Sequence, residues 1–486
     1  MDKFRSLPFT TRLFLLALVL RLIPVLAAIQ LPIGLDDMFQ YDMLARSLAA
    51  GEGFRWYSQE DLDLVRSYID VDFQMDGYDP RGILSSFRAP AYPAFLAVIY
   101  SIGGLEWRFF AARLGNALLG ATLAPMSYLL SKRVFPKNDP AARFAGSALA
   151  FYPLLVIYPL ALATENLFIP LVLLGTLVLL RSAESRRGRD FLFAGAVFGL
   201  ATLTRSVIFA FVGLAALWIW FAVRSKRGAL LFSLGVLTLI TPWVMRNSLL
   251  HGRFTFIETA LGYNLHMGYH PQGTGTFQYG ISLELIPYLD DKERDDVGIQ
   301  AGLGFIRDDP GRVPYLMVRK LGYFFALERR ALTYFYSNNF FGYIPAPLLL
   351  AILLIFALPF VFISTLSAAF LPFMQRTKER ILLLLLLGGY LLPHVLLLSE
   401  ERFHLAIVPV LAVFAGSSWQ KLTAARHASS SLRSASASTR SMRYRAALAF
   451  ILVGLLWLNW GMELWRDADK LALLFGPEGN VAGFPY

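Results

Sequence analysis

The sequence predicts an all-α protein that crosses a membrane many times, and three observations predict it. The 486 residues are 56% hydrophobic and only 16% charged, with a mean hydropathy of +0.53. A soluble domain is typically ~45–50% apolar and ~25% charged. Apolar runs approaching the ~20 residues that span a bilayer recur along the chain. Basic clusters fall between those runs at positions that one topology places on a single side. The same composition excludes a disordered chain, which needs low hydrophobicity. With no cysteine, structural disulfides, thiolate metal sites and a thiol nucleophile are excluded as well. The net charge of +11 reflects the basic loops of a membrane protein rather than a nucleic-acid partner.

The elements follow in order. The basic start MDKFRSLPFTTR leads into an apolar run, predicted as an uncleaved first span over 12–31 with the N-terminus in the cytoplasm. Further spans are predicted at 107–130, 142–161, 164–181, 190–204, 205–223, 228–247, 341–365, 381–398, 403–419 and 445–464, about eleven by the length rule. The segment 89–103 is apolar but short and opens with Pro90 and Pro93, so it is predicted to lie in the interface. With that segment kept out of the membrane, the basic clusters at 131–143, 181–189, 224–227, 376–380 and 421–445 all face the cytoplasm. Two long segments, 32–106 and 248–340, then face outward, and loops of such length usually carry function or are disordered. The first is acidic and includes Asp70, Asp72 and Asp76; the second carries a basic amphipathic stretch near 313–330.

Organisation follows the same divisions. Residues 1–250 form a transmembrane module that includes the first external loop, 32–106. Residues 251–340 form a large external loop with an interfacial helix. Residues 341–464 supply C-terminal spans with a Ser/Arg-rich cytoplasmic linker at 420–444, and 465–486 form an external tail. The ending at Tyr486, soon after the last predicted span, sets the expectation that no large soluble module follows.

Candidate chemistry gathers on the outer side. Asp36 and Asp37 stand just past the first span, where an acidic pair serves as a general base or a metal ligand, or simply caps a helix. Arg88, in SSFRAPAYP, precedes the interfacial segment and suits a phosphate. Glu165 and Arg205 fall on successive outer turns, at a depth where opposite charges pair. Arg246 and Arg402 sit at outer span ends against the positive-inside trend, so either each snorkels to anchor its helix end or the four arginines converge there as an anion site. Asn264, His266 and His270 lie in LGYNLHMGYHPQGTG. Two histidines four apart suit a shared helix face and zinc, but the surrounding glycines argue for a loop that contacts a sugar. No HExxH motif, nucleotide P-loop or dinucleotide fingerprint is found.

These motifs, in order, resemble glycosyltransferase family 39 and its relatives of the GT-C membrane fold, among them protein O-mannosyltransferases and lipid A aminoarabinose transferases. The pieces are LDDMFQYDMLARSLAAGEGF, FRAPAYPAFLAVIYSIGG, ATENLF, GLATLTRS, TPWVMRNSLLHGRF, GYNLHMGYHPQGTGTF and ERFHLAIVPVLAVFAG, over about residues 10–420. The resemblance implies sugar transfer from a polyprenyl-phosphate donor to an extracytoplasmic acceptor, in the plasma (inner) membrane. It implies Asp36 as base with Asp37 beside it, Tyr41 one turn later, and Arg88, Arg246 and Arg402 at the donor phosphate. It also implies Glu165 as a site residue and Arg205 facing the acidic pair. In aminoarabinose transferases an acidic residue that helps hold a metal precedes the basic one; here Phe87 stands there, which leaves a divalent metal open and no cofactor expected. The alternative from the same residues is a carrier or flippase for a lipid-linked sugar.

Overall fold

The computed structural model describes residues 6–34, 36–66, 78–285, 287–329, 344–428 and 439–476. Asp70, Asp72 and Asp76, residues 429–438 of the Ser-rich linker, the first residues of the 341–365 span and the last ten of the tail lie outside them.

The first span is helix α1 (Phe9–Ala27). Its exit is held by a buried arginine that sits in an apolar run. Arg113, on α5, donates to the carbonyls of Ala28, Leu31, Pro32 and Leu160 at 2.7–3.3 Å. Helix ends leave their last carbonyls without partners, and a single guanidinium satisfies several of them inside a low-dielectric interior. Arg21, also fully buried, does the same for Leu149 and Ala150. The chain therefore leaves α1 along a fixed path toward Asp36.

Between α1 and the next long helices, the chain folds as a small layer. It comprises α2 (Asp37–Ala49), strand β1 (Arg55–Trp56), α3 (Gln59–Arg66), strand β2 (Ile83–Leu84) and α4 (Ala91–Gly103); α5 (Arg108–Ala121) and α6 (Leu123–Val134) follow and pack on α1. The strands pair antiparallel with Trp56 opposite Ile83. Gly82 has φ +106°, and a Cβ there would stand 2.6 Å from the Trp56 carbonyl, so glycine is required for the approach. Phe39, Met43, Leu44, Phe54, Trp56, Val65 and Phe87 form the layer's own apolar cluster.

The long helices follow. They are α7 (Asp139–Phe151), the short α8 (Pro153–Ile157), α9 (Glu165–Ser185), α10 (Gly188–Thr204), α11 (Phe209–Phe221) and α12 (Lys226–Leu250). The segment 251–329 contributes α13 (Leu261–Tyr269), α14 (Tyr279–Leu283), α15 (Asp291–Asp308) and α16 (Arg312–Phe324). Then come α17 (Ala346–Phe370), α18 (Lys378–Leu396), α19 (Val408–Ala428), α20 (Thr439–Arg466) and α21 (Ala468–Phe475). Helices α10 and α12 nearly touch. A Cβ at Gly195 would lie 2.0 Å from Phe232 O, and one at Gly235 would lie 2.2 Å from Leu192 O. Small residues allow backbones this close where lipid gives no hydrophobic drive for helix association.

Among the described residues, six helices are long and apolar enough to cross a bilayer, or seven when α7 and the 153–160 turn, bent by 51°, count as one span. The sequence predicts about eleven, and the difference has local causes. Residues 107–130 form two helices, α5 and α6, meeting at Thr122. The predicted span 205–223 begins with a 3₁₀ turn after Arg205 and continues as the 13-residue α11. The predicted span 403–419 likewise opens as a 3₁₀ turn, Glu401–Ala406. The breaks at 205 and 401–406 fall beside the site arginines Arg205 and Arg402, where irregular backbone lines polar groups rather than lipid.

Candidate active site

Asp36 is the N-cap of α2. Its Oδ1 accepts from the Met38 amide at 2.8 Å, the usual use of aspartate at that position. No side chain among the described residues donates to its other oxygen. Asp36 is exposed to solvent, yet desolvation by the groups packed around it and the neighbouring Asp37 charge push its carboxyl above the ordinary carboxylate range.

Asp37, one residue on, is the centre of the cluster. Arg88 bonds its Oδ1, and Arg402 reaches its Oδ2 at 2.8 Å. Burial alone would raise the Asp37 carboxyl, but the two guanidiniums outweigh it and hold it well below the ordinary range. Arg88 is itself held on α2, donating to Gln40 Oε1 at 2.6 and 2.8 Å, with the Tyr41 ring 5.4 Å from its guanidinium carbon. Arg402 also pairs with Glu400 at 3.0 Å. On each arginine, Nη1 donates to no described residue. Arg88 and Arg402 are 21% and 34% exposed at the side chain, so these open N–H groups face reachable space.

The structure divides the four arginines rather than joining them in one cluster. Arg88 and Arg402 meet on Asp37. Arg205 pairs with Glu165 instead of the acidic pair, and stands over the Phe403 ring at 4.8 Å. Arg402 lies 5.7 Å from the same ring, so both guanidiniums border Phe403. Arg246 donates to Ser85 O at 2.5 Å and to Asn247 Oδ1, and so supports the backbone leading into Arg88. The expected role of Arg205 toward Asp36 gives way because Glu165 is buried and claims the guanidinium first.

The histidine segment is also corrected. LGYNLHMGY is helical despite its glycines, with His266 in its last turn and His270 as its C-cap. The glycines are there for close packing: a Cβ at Gly262 would lie 1.9 Å from Asp295 O, and one at Gly268 would lie 1.9 Å from Leu397 O. Asn264 sits half-buried on this helix, its side chain bonded to no described residue. Tyr263 packs on Phe87 with ring centroids 5.7 Å apart.

Three participants escape sequence reasoning. Gln40 is the acceptor that holds Arg88, and its spacing of three from Asp37 on a helix is the signal that could have found it. Glu400 lies two residues before Arg402. Asp291, 206 residues from Ser85, accepts from Ser85 Oγ, Ser86 N and Phe87 N at 2.7–3.0 Å and fixes the turn that presents Arg88. No local pattern in the sequence points to Asp291.

The residues around Asp37 do not fit a divalent cation. Both Asp37 oxygens are taken by guanidiniums, Asp36 uses one oxygen as a cap, and position 87 is phenylalanine, buried against Trp56. A cation there would be repelled by Arg88 and Arg402.

What emerges is a helical membrane protein with an arginine-bracketed carboxylate where its first span meets the polar layer. Residues 88–245, about a third of the chain, match the family model described as dolichyl-phosphate-mannose-protein mannosyltransferase. The match holds Arg88, Glu165 and Arg205 and stops one residue before Arg246; Asp36, Asp37 and Arg402 lie outside it. Over that segment it agrees with the resemblance carried by the motifs. Among solved structures, ArnT from Cupriavidus metallidurans bound to undecaprenyl phosphate aligns with TM-score 0.48 and 16% identity, over 96% of this chain and 73% of that one. The apo oligosaccharyltransferase of Archaeoglobus fulgidus aligns with TM-score 0.42 and 15% identity over 95% of this chain, which spans 58% of that chain's length. No curated protein matches the sequence.

Proposed function

We propose that this protein is an inverting membrane glycosyltransferase that moves a sugar from a polyprenyl-phosphate donor to an acceptor on the extracytoplasmic side of the plasma membrane. The observation that carries the reading is the Asp37 cluster: two arginines fixed by one carboxylate, each with an open N–H, beside a second carboxylate with a free oxygen. The matched family's description, with its dolichyl-phosphate sugar donor, supports the donor class.

In this reading the open Nη1 groups of Arg88 and Arg402 take the donor phosphate. Asp37 holds them in place without occupying those groups, so the donors are set before the reaction begins. Asp36 accepts the proton of the acceptor O–H or N–H as that atom attacks the anomeric carbon. The new bond forms on the face opposite the phosphate, the bond from anomeric carbon to phosphate oxygen breaks, and polyprenyl phosphate leaves with the electron pair. A carboxyl held above the ordinary range is the better base near neutral pH. Arg246 acts on the backbone under Arg88, and Arg205 with Glu165 forms the neighbouring wall. Tyr41 and Asn264 are proposed to face the sugar.

The test uses purified protein in nanodiscs with radiolabelled polyprenyl-phosphate sugars and membrane extract as acceptor source. Wild type should move label to a new product, and Asp36→Asn should lower that rate by about 10²–10⁴-fold while keeping donor binding. Near wild-type transfer by Asp36→Asn would remove it as the base. Label crossing between leaflets without transfer would favour the carrier.

A further inference from the structure

A second cluster of chemically capable side chains stands apart from Asp37. Helix α13 brings His266 and His270 onto one face, four residues apart. The chain then returns through α14, and Glu284, just past its end, meets both rings. His266 Nε2 lies 3.1 Å and His270 Nε2 lies 3.3 Å from the same oxygen, Glu284 Oε2. The three ligand atoms all fall within 4.8 Å of one another. Among the described residues it is the group of three or more histidines and carboxylates arranged in this way.

These spacings carry a geometric meaning. Zinc binds imidazole nitrogen and carboxylate oxygen at ~2.0–2.2 Å with tetrahedral angles, which puts neighbouring ligand atoms about 3.3 Å apart. Two edges of the triangle already have that length, and a small side-chain adjustment closes the third. The histidines are 5% and 9% exposed, while the Glu284 side chain is 47% exposed, which leaves an entry path and an open fourth position. The backbone behind the ligands is held without help from an ion. Arg312 donates to His270 O at 2.9 Å and to Gly273 O at 2.5 Å, and Tyr269 Oη donates to Leu396 O at 2.7 Å. Phe305 closes the rear, its ring centroid 5.6 and 5.3 Å from the two imidazoles.

We propose that His266, His270 and Glu284 bind one divalent transition-metal ion of the zinc type, joining α13 to the segment that follows α14. The ligand set of two imidazoles and one carboxylate suits zinc and its neighbours over magnesium or calcium. On loading, each Nε2 offers its lone pair, so the ring proton sits on Nδ1. For His270 this releases the 3.3 Å contact from the Gln272 amide. For His266 the proton sits on an Nδ1 that is buried and bonded to no described residue. The site uses neither Asp37 nor the position of Phe87, and it does not depend on the transferase reading. Because α13 also carries Tyr263 against Phe87, an ion here stiffens the wall next to Arg88.

The test takes the full-length protein in detergent, with any polyhistidine tag removed, stripped with a chelator and then titrated with Co²⁺ followed by optical absorption. The expected result is one equivalent bound with a tetrahedral ligand-field spectrum, displaced by one equivalent of Zn²⁺. Glu284→Gln should weaken binding ~10–100-fold, and His266→Gln with His270→Gln should weaken it further. The second readout is the thermal midpoint. Added Zn²⁺ should raise it in wild type, because a ligand bound to the folded state alone stabilises that state, and not in the variants. If the double variant does not fold, Glu284→Gln alone decides. No stoichiometric cobalt binding overturns the proposal, and so does cobalt affinity unchanged by Glu284→Gln or lost instead in Asp37→Asn.

Discussion

Helix α2 carries two aspartates five residues apart, and each meets two arginines, yet they are different kinds of site. Asp42 is 2% exposed. Its Oδ1 accepts from Tyr100 Oη and Arg108 Nε at 3.0 and 2.9 Å, and its Oδ2 from Arg46 Nε at 2.8 Å. Arg46 turns its other end to Asp61 at 2.5 Å. All of these groups lie within 67 residues of one another in sequence, and they tie α2 to α3, α4 and α5. Asp37 is 29% exposed, and its second arginine comes from residue 402, 365 positions away. Arg46 Nη1 and Arg108 Nη2 also meet no acceptor among the described residues, so what separates the clusters is the exposure of the carboxylate and the sequence distance of its partners. The first cluster holds the layer together. The second exists only once the C-terminal helices have docked.

The sharpest way to break this comparison is to delete each carboxylate. Asp42→Ala leaves Arg46 and Arg108 without their buried partner and should cost about 3–5 kcal/mol, read as a large drop in thermal midpoint in detergent. Asp37→Ala should lower the midpoint much less but abolish turnover; equal drops would erase the distinction. A subtler change is Arg402→Lys, which keeps the charge but loses the planar fork that spans Asp37 and Glu400. Donor affinity should fall about tenfold, or ~1.4 kcal/mol, and unchanged affinity would take Arg402 out of the phosphate site. Arg246→Ala removes a bond to Ser85 O and should cost ~0.5–1.5 kcal/mol, with a modest fall in donor affinity. A change in turnover as large as that of Asp36→Asn would mean that Arg246 touches substrate.

The smallest effect separates Asp36 from Asp37 by pH. Asp37 has a lowered carboxyl in the fold, so it adds stability above the unfolded value near ~3.9 and loses it as pH falls through the folded value. Asp36 has a raised one, so its ionised form costs stability once pH exceeds the unfolded value. Asp36→Asn should therefore raise the midpoint slightly at neutral pH, by less than about 1 kcal/mol after solvent screening, and the gain should vanish below pH ~4. Asp37→Asn should instead lower it at neutral pH. Midpoints measured from pH 3 to 8 check both signs.

Much of this was legible in the chain itself. Apolar run lengths gave α1, α9, α12, α17, α18 and α20, because crossing the hydrocarbon takes ~20 predominantly apolar residues in a row. The candidate residues were legible by type, since an arginine or carboxylate beside an apolar run is costly there unless it has work to do. The kinks beside Arg205 and Glu401 were not, because a run of apolar letters reads the same whether the backbone continues or breaks. The helical state of residues 261–269 was hidden too. Gly262 and Gly268 disfavour a helix by propensity, but tertiary contact at 1.9 Å of a would-be Cβ makes them necessary.

The sequence by itself determined the class of the molecule: a cysteine-free, lipid-embedded bundle of helices with its charged residues mostly in loops and at span ends. Hydrophobicity and charge act locally along the chain, so they can be read locally. Apart from the Glu165–Arg205 pair, which their shared outer depth already suggests, only the tertiary structure decided which group each arginine meets. Arg88 and Arg402 share Asp37, Arg205 takes Glu165, Arg246 takes a backbone carbonyl, and two histidines meet Glu284. Those pairings depend on distances in space between residues up to 365 positions apart. They are set by how the helices pack, and no spacing along the chain encodes them.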